Sequence, residues 1–151
     1  MPDLDMERLK SALLRDEGFR SSAYHDTADP PLLTIGIGRM IDASEGGGIS
    51  EGEAKYLLEN DLQKFFVELD KNADWWREMP ALAQEGLVNM CFNMGYPRLS
   101  GFKNMMTALQ EGDYSAAADE ALDSQWSVQV GERSQRIAEM FRSCEIQGAA
   151  I

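Results

Sequence analysis

The chain has 151 residues, enough for one domain with a real core. With 26 acids against 14 bases its net charge is −12, and this excludes nucleic acid as a partner, because neutralising phosphates needs a basic surface. Hydrophobic residues make up 44%, which excludes a disordered chain, and no run nears the ~18 apolar residues of a membrane span, so no membrane insertion is expected.

The opening, MPDLDMERLK, is charged and lacks the apolar core of an export signal. Met6, Leu9, Leu13 and Leu14 share a helical face, Asp3 or Asp5 can cap that helix, and Gly18 suits its stop. Alternating segments around 22–26 and 32–38 predict strands. Asp29-Pro30-Pro31 between them excludes a tight two-residue hairpin and predicts a wider loop. Another loop is expected at SEGGG, 44–48.

Ser50 with Glu53 spells a capping box, and the periodic Ala54, Leu57, Leu58, Leu62, Phe65, Phe66 and Leu69 extend it into a helix over 50–72. Pro80 can occupy the first turn of the next helix. That helix runs through LVNMCFNM to Gly95 and is apolar almost all round, as a central buried helix would be. Helices near 101–111, 114–123 and 132–143 follow, separated by Gly112-Asp113 and by SQWSVQVG. The sum is an α+β pattern, mostly helical with one small sheet. Two cysteines, Cys91 and Cys144, are too few for a disulfide framework, and Cys91 reads as a buried free thiol.

The chemistry concentrates where the first helix ends. Asp16-Glu17 stand at the helix end, Asp26 follows on the next strand, and Thr34 on the one after. Two carboxylates flanking a bond are the minimum apparatus of glycoside hydrolysis: one protonates the leaving oxygen, the other activates water or attacks the sugar. Burial beside Phe19 would keep Glu17 protonated, an open strand would keep Asp26 ionised, and Thr34 would orient a water. From the residues alone, Glu17 reads first as a solvated helix-end charge.

The full string EGFRSSAYHDT, followed by TIGIG, resembles the catalytic segment of phage-type lysozymes, the endolysin muramidases of glycoside hydrolase family 24. The resemblance extends through SEGEAKYLLENDL, LVNMCFNMG, SGFKNMMTALQEGDYSAAADEALDSQW and GERSQRI, from about residue 6 to 143. It implies Glu17 as general acid, Asp26 as second carboxylate and Thr34 as holder of the attacking water. It also implies inversion, with the carboxyls roughly 6.5–9.5 Å apart. The stretch from Asp26 to Thr34 is two residues longer than the family pattern. That pattern ends in histidine where this chain has Arg39, and the histidine's acidic partner matches Asp61, so Arg39 is expected to pair with Asp61 by a cation that does not titrate near neutral pH. Asn93 stands where the family often has a glutamine on the cleft floor and is expected to contact substrate. Asn89, four residues earlier, shares its face. Arg133 matches an arginine that approaches the catalytic acid and would hold Asp16 or Glu17.

Other residues read as structural. Trp126 is expected to anchor the core, and Trp75 and Trp76 to pack a junction. The lone His25 alternates with Asp26 and points outward. No cluster of His, Cys and acids has metal-ligand spacing, and the glycines of TIGIG open no helix, so neither metal nor cofactor is expected.

The expectation is therefore a single lysozyme-like domain: a sheet lobe of about 15–60, a helical lobe of about 1–14 and 73–151, and a linking helix of about 50–72. The resemblance implies a monomeric muramidase acting on bacterial peptidoglycan. It would accumulate in the host cytoplasm and reach the periplasm and wall when a phage holin releases it. The acidity predicts that activity on whole cells rises with moderate salt, which screens repulsion from an anionic wall. Two rivals stand beside this: a lytic transglycosylase, against which Asp26 and Thr34 speak, and a catalytically inactive peptidoglycan-binding or structural module on the same fold.

Overall fold

A computed structural model describes residues 3–149 of the chain. Backbone contacts divide it into two compact units, one through Tyr56 and one from Leu57.

In the first unit, helix α1 (Met6–Glu17) starts on Asp5, whose carboxylate accepts from the Arg8 amide, and stops at Gly18. Of the two caps the sequence offered, the nearer one is used. The strands β1 (Arg20–His25), β2 (Leu33–Gly36) and β3 (Arg39–Met40) form an antiparallel sheet in the order β1-β2-β3. Tyr24 pairs with Thr34 and His25 with Leu33, while Thr34 also faces Met40. The residues between Asp26 and Leu32 form the wide loop that the two prolines predict. What reads as one strand over 32–38 is broken into β2 and β3 by the turn at Gly36 and Gly38, both at positive φ. A short 3-10 turn, Ala43–Glu45, follows β3.

Helix α2 (Glu51–Asn72) begins with the capping box read from sequence: Ser50 N–H donates to Glu53 Oε1 at 2.8 Å, and Glu53 N–H donates to Ser50 Oγ at 3.1 Å. Among the described residues of the first unit only Thr34 is fully buried, at 4% exposure. This unit is thus ordered by its hydrogen bonds and turns more than by apolar burial.

The second unit holds the hydrophobic core. After a 3-10 turn at Asp74–Glu78 come α3 (Ala81–Met94), α4 (Tyr96–Leu99), α5 (Lys103–Glu111), α6 (Tyr114–Leu122), α7 (Gln125–Val130) and α8 (Glu132–Ala149). Pro80 caps α3, and Gly95 ends it. As its composition predicts, α3 is the buried helix, with Leu87, Met90 and Cys91 at 0% exposure. Each such side chain stabilises the fold by roughly 1.5–3 kcal/mol. Gly86 lets α8 approach: a Cβ there would meet Phe141 Cε1 at 2.8 Å. Trp76 is buried, stacks on Phe66 and donates to Asp70, which fits its reading as a packing residue. The segment SQWSVQVG, read as a separator, is instead α7, capped by Ser124 and pinned by buried Trp126. Among the described residues no helix is long and apolar enough to cross a membrane.

Candidate active site

Glu17, Asp26, Thr34, Asp16 and Arg39 all lie in the first unit. Glu17 is the last residue of α1. The turn between β2 and β3 comes close to it: a Cβ built on Gly38 would lie 3.2 Å from Glu17 Oε2. The expected burial of Glu17 is not found. Glu17 is exposed, and Phe19 beside it is 66% exposed, because a helix end followed by Gly18 turns both outward in a unit with no apolar core.

Asp26 follows β1 directly and is half-buried. Its Oδ1 accepts from Ala28 N–H at 3.0 Å and from Leu32 N–H at 2.8 Å, and its own N–H donates to Leu32 O at 2.9 Å. The longer stretch between Asp26 and Thr34 forms a loop. That loop closes back onto Asp26, and the ladder resumes with Tyr24 opposite Thr34. Thr34 is buried in the middle of the sheet, and its Oγ1 donates to Leu32 O at 3.1 Å. Both candidates thus lean on the same residue, Leu32.

Thr34 has committed its hydroxyl proton, so its lone pairs are left to accept. Among the described residues no hydrogen bond engages Asp26 Oδ2. Each residue thus keeps an oxygen able to accept a further hydrogen bond.

Arg39 finds a partner within its own unit. Its guanidinium grips Glu53, with Nη2 to Oε2 at 2.6 Å and Nη1 to Oε1 at 3.0 Å, and Nη1 also donates to Gly48 O at 3.3 Å. Within the first unit the acid on Arg39 is the capping-box acid, while Asp61, the expected partner, belongs to the second unit. Asp61 is exposed on α2, where water solvates it. Glu53 is pulled from its ordinary 4.5 to about 2 by the Ser50 amide first, then by Arg39 and the Ser50 hydroxyl. Asp16 has Arg15 at 3.8 Å.

The remaining candidates belong to the second unit. Asn93 Oδ1 accepts from the Trp126 indole at 2.8 Å, so its carbonyl is structural and its amide N–H₂ faces outward from an exposed residue. Arg133 Nε donates to Asn89 Oδ1 at 2.9 Å. Both residues line an apolar groove of about 440 Å³ formed with Leu62, Phe66, Val88 and Phe92. Trp126 is the core anchor it was expected to be, and His25 is exposed as expected.

Sequence reasoning missed Asp42. Its Oδ2 accepts from Leu33 N–H at 3.2 Å, and its Oδ1 accepts from Ser44 N–H at 3.0 Å and Ser44 Oγ at 2.6 Å. The only local hint was an Asp two residues before a Ser, which marks a turn and says nothing of β2.

The sequence pattern of the family described as phage lysozyme matches residues 15–141. The pre-baseplate central spike protein Gp5 of Enterobacteria phage T4 is 30% identical over an alignment covering 99% of this chain, which spans 30% of the spike protein's length. Two proteins of Dictyostelium discoideum, probable T4-type lysozyme 2 and probable T4-type lysozyme 1, are 28% and 24% identical, each over 89% of this chain and 94% of their own length.

Proposed function

The chain belongs to the phage lysozyme family, a membership that supports a glycosidase of muramidase type, and from that premise we propose that it hydrolyses the β-1,4 bond between N-acetylmuramic acid and N-acetylglucosamine in bacterial peptidoglycan. Glu17 is the general acid that protonates the leaving oxygen. Asp26 accepts a proton from the attacking water, and Thr34 accepts its other hydrogen as a hydrogen bond. One of the water's lone pairs then faces the sugar carbon. A sugar hydroxyl or amide meets the outward N–H₂ of Asn93. Arg133 and Asp16 support the acid, Arg39 braces the sheet through Glu53, and Asp61 is a solvated acid of α2. In the cell the enzyme acts as a monomeric endolysin, held in the host cytoplasm until a holin releases it to the wall. No metal or cofactor takes part.

The observation that carries this reading is the shared anchoring of Asp26 and Thr34 on Leu32, with the proton of Thr34 already committed. It leaves each residue an oxygen free to accept, which supports the hydrolytic reading over a sugar-binding module. Turbidity clearing of permeabilised Gram-negative cells tests it, with products read for reducing ends. Wild-type clearing with new reducing ends, abolished in Glu17→Gln, is the expected result. Anhydro-sugar products would point to a transglycosylase. A folded wild type that clears nothing across several wall types and salt levels would point to a binding or structural module.

A further inference from the structure

The first unit has no apolar core to hold its site, so the positions of Asp26 and Thr34 depend on polar bonds. These converge on one peptide group, the one joining Leu32 to Leu33. Its carbonyl accepts from Asp26 N–H at 2.9 Å and from Thr34 Oγ1 at 3.1 Å. Its N–H, that of Leu33, donates to Asp42 Oδ2 at 3.2 Å. A peptide group is planar, so fixing the direction of its N–H fixes the direction of its C=O. Asp42 is fixed in turn by the turn it caps: Ser44 holds its Oδ1, and its carbonyl accepts from Gly47 N–H at 2.9 Å.

We propose that Asp42 is a positioning residue for the reaction: through the Leu32–Leu33 peptide it aims the carbonyl that orients the Thr34 hydroxyl and tethers Asp26. Asp42 touches neither sugar nor water. It acts from the opposite edge of the peptide, and its loss lets that peptide rotate. Rotation moves the acceptor of Thr34 and frees its proton to point at the water instead of away from it. The water then meets a donor where it needs an acceptor. The Ser44 hydroxyl, with the Leu33 and Ser44 amides, holds the Asp42 carboxyl below its ordinary range, consistent with a group that serves only as an acceptor.

This inference rests on the hydrolytic reading of the site, and the experiment separates the two. Steady-state kinetics on solubilised peptidoglycan would compare wild type, Glu17→Gln, Asp42→Ala, Asp42→Asn and Ser50→Ala, at a temperature where circular dichroism shows each folded. Ser50→Ala removes a helix cap in the same unit without touching the Leu33 amide. The expected result for Asp42→Ala is a kcat lowered about tenfold with KM within about twofold, since catalytic groups misplaced by under 1 Å lose part of the ~10²-fold that a full ångström costs. Asp42→Asn, with one oxygen still able to accept from Leu33, is expected to retain more kcat than Asp42→Ala, and Ser50→Ala to keep the wild-type value. Wild-type kcat in Asp42→Ala, with only a lowered Tm, would overturn the proposal, as would equal kcat in the two Asp42 variants. If Asp42→Ala does not fold, Asp42→Asn is read against Ser50→Ala: a lower kcat in the former supports the proposal, and equal values overturn it. A wild type that releases no reducing ends, or a Glu17→Gln that matches it, overturns the hydrolytic reading and the role of Asp42 with it.

Discussion

Gly38 lies against the carboxylate of Glu17: a Cβ there would stand 3.2 Å from Oε2, close enough that the carboxylate would have to give by a few tenths of an ångström. Its φ of +71° is also one that an L side chain adopts at a cost of roughly 1–2 kcal/mol. Gly38→Ala therefore acts twice, straining the turn and pushing the acid aside. The expected outcome is a stability loss of that size by denaturant titration, with kcat falling by on the order of tenfold as Glu17 shifts by a few tenths of an ångström. Gly36→Ala is the comparison. It has the same sign of φ and open space around it, so it should show the strain without the kinetic loss.

The bonds that hold Glu53 predict a pH effect on stability. Its carboxyl sits at about 2 in the folded chain against an ordinary 4.5. A depressed carboxyl adds stability that is fully present above its unfolded value and is lost as pH falls through its folded value. Wild type should lose Tm between about pH 4.5 and pH 2, and Glu53→Gln should lose less over that window. Asp42 and Asp70 are also held low, so the difference between the two curves, rather than the wild-type curve alone, isolates Glu53.

Asn93 separates a structural role from a binding one. Asn93→Asp keeps an acceptor for the Trp126 indole and removes the outward N–H₂. Its Tm should stay near wild type while KM on peptidoglycan fragments rises. Asn93→Leu leaves the buried indole N–H without a partner and should cost about 1–3 kcal/mol in urea unfolding.

In the second unit Gly86→Ala sets helix propensity against packing. Alanine gains up to ~1 kcal/mol over glycine in a helix interior. The new methyl would meet Phe141 Cε1 at 2.8 Å, and Phe141 is fully buried. Overpacking typically costs about 1–3 kcal/mol, so packing should win and Gly86→Ala should be the less stable protein. Adding Phe141→Leu should recover part of the loss, measured as a double-mutant cycle.

What could be read from the sequence divides by distance along the chain. The box of Ser50 and Glu53 spans three residues, and the caps and glycine stops fewer, so each was visible in the order of residues. The core helix α3 was visible because its composition is apolar on every side. The grip of Arg39 on Glu53 spans fourteen residues across an irregular loop, and no periodicity marks it. Asp61 was chosen as a partner by its place on α2, whereas Glu53 stands in the first turn of that helix, and Arg39 reaches both it and the Gly48 carbonyl. Phe19 misled for a different reason. An aromatic beside an acid suggests a dry wall, yet a helix stop at positive φ decides where both side chains point. Asp42 escaped because its partner, the Leu33 amide, belongs to the backbone of β2 and leaves no trace in residue type.

The two sulfurs of the core have a practical consequence. Cys91 and Cys144 are both free and fully buried, and burial pushes the Cys91 thiol up to about 11, with the charge of Glu68 adding to it. Maleimides and similar reagents attack thiolates at accessible sulfur. Such a reagent therefore passes over the native chain, and a single cysteine introduced at an open position such as Val128, 84% exposed, gives a unique attachment point with both original sulfurs left in place. Dyes, spin probes or surface tethers can then be used without first rebuilding the interior.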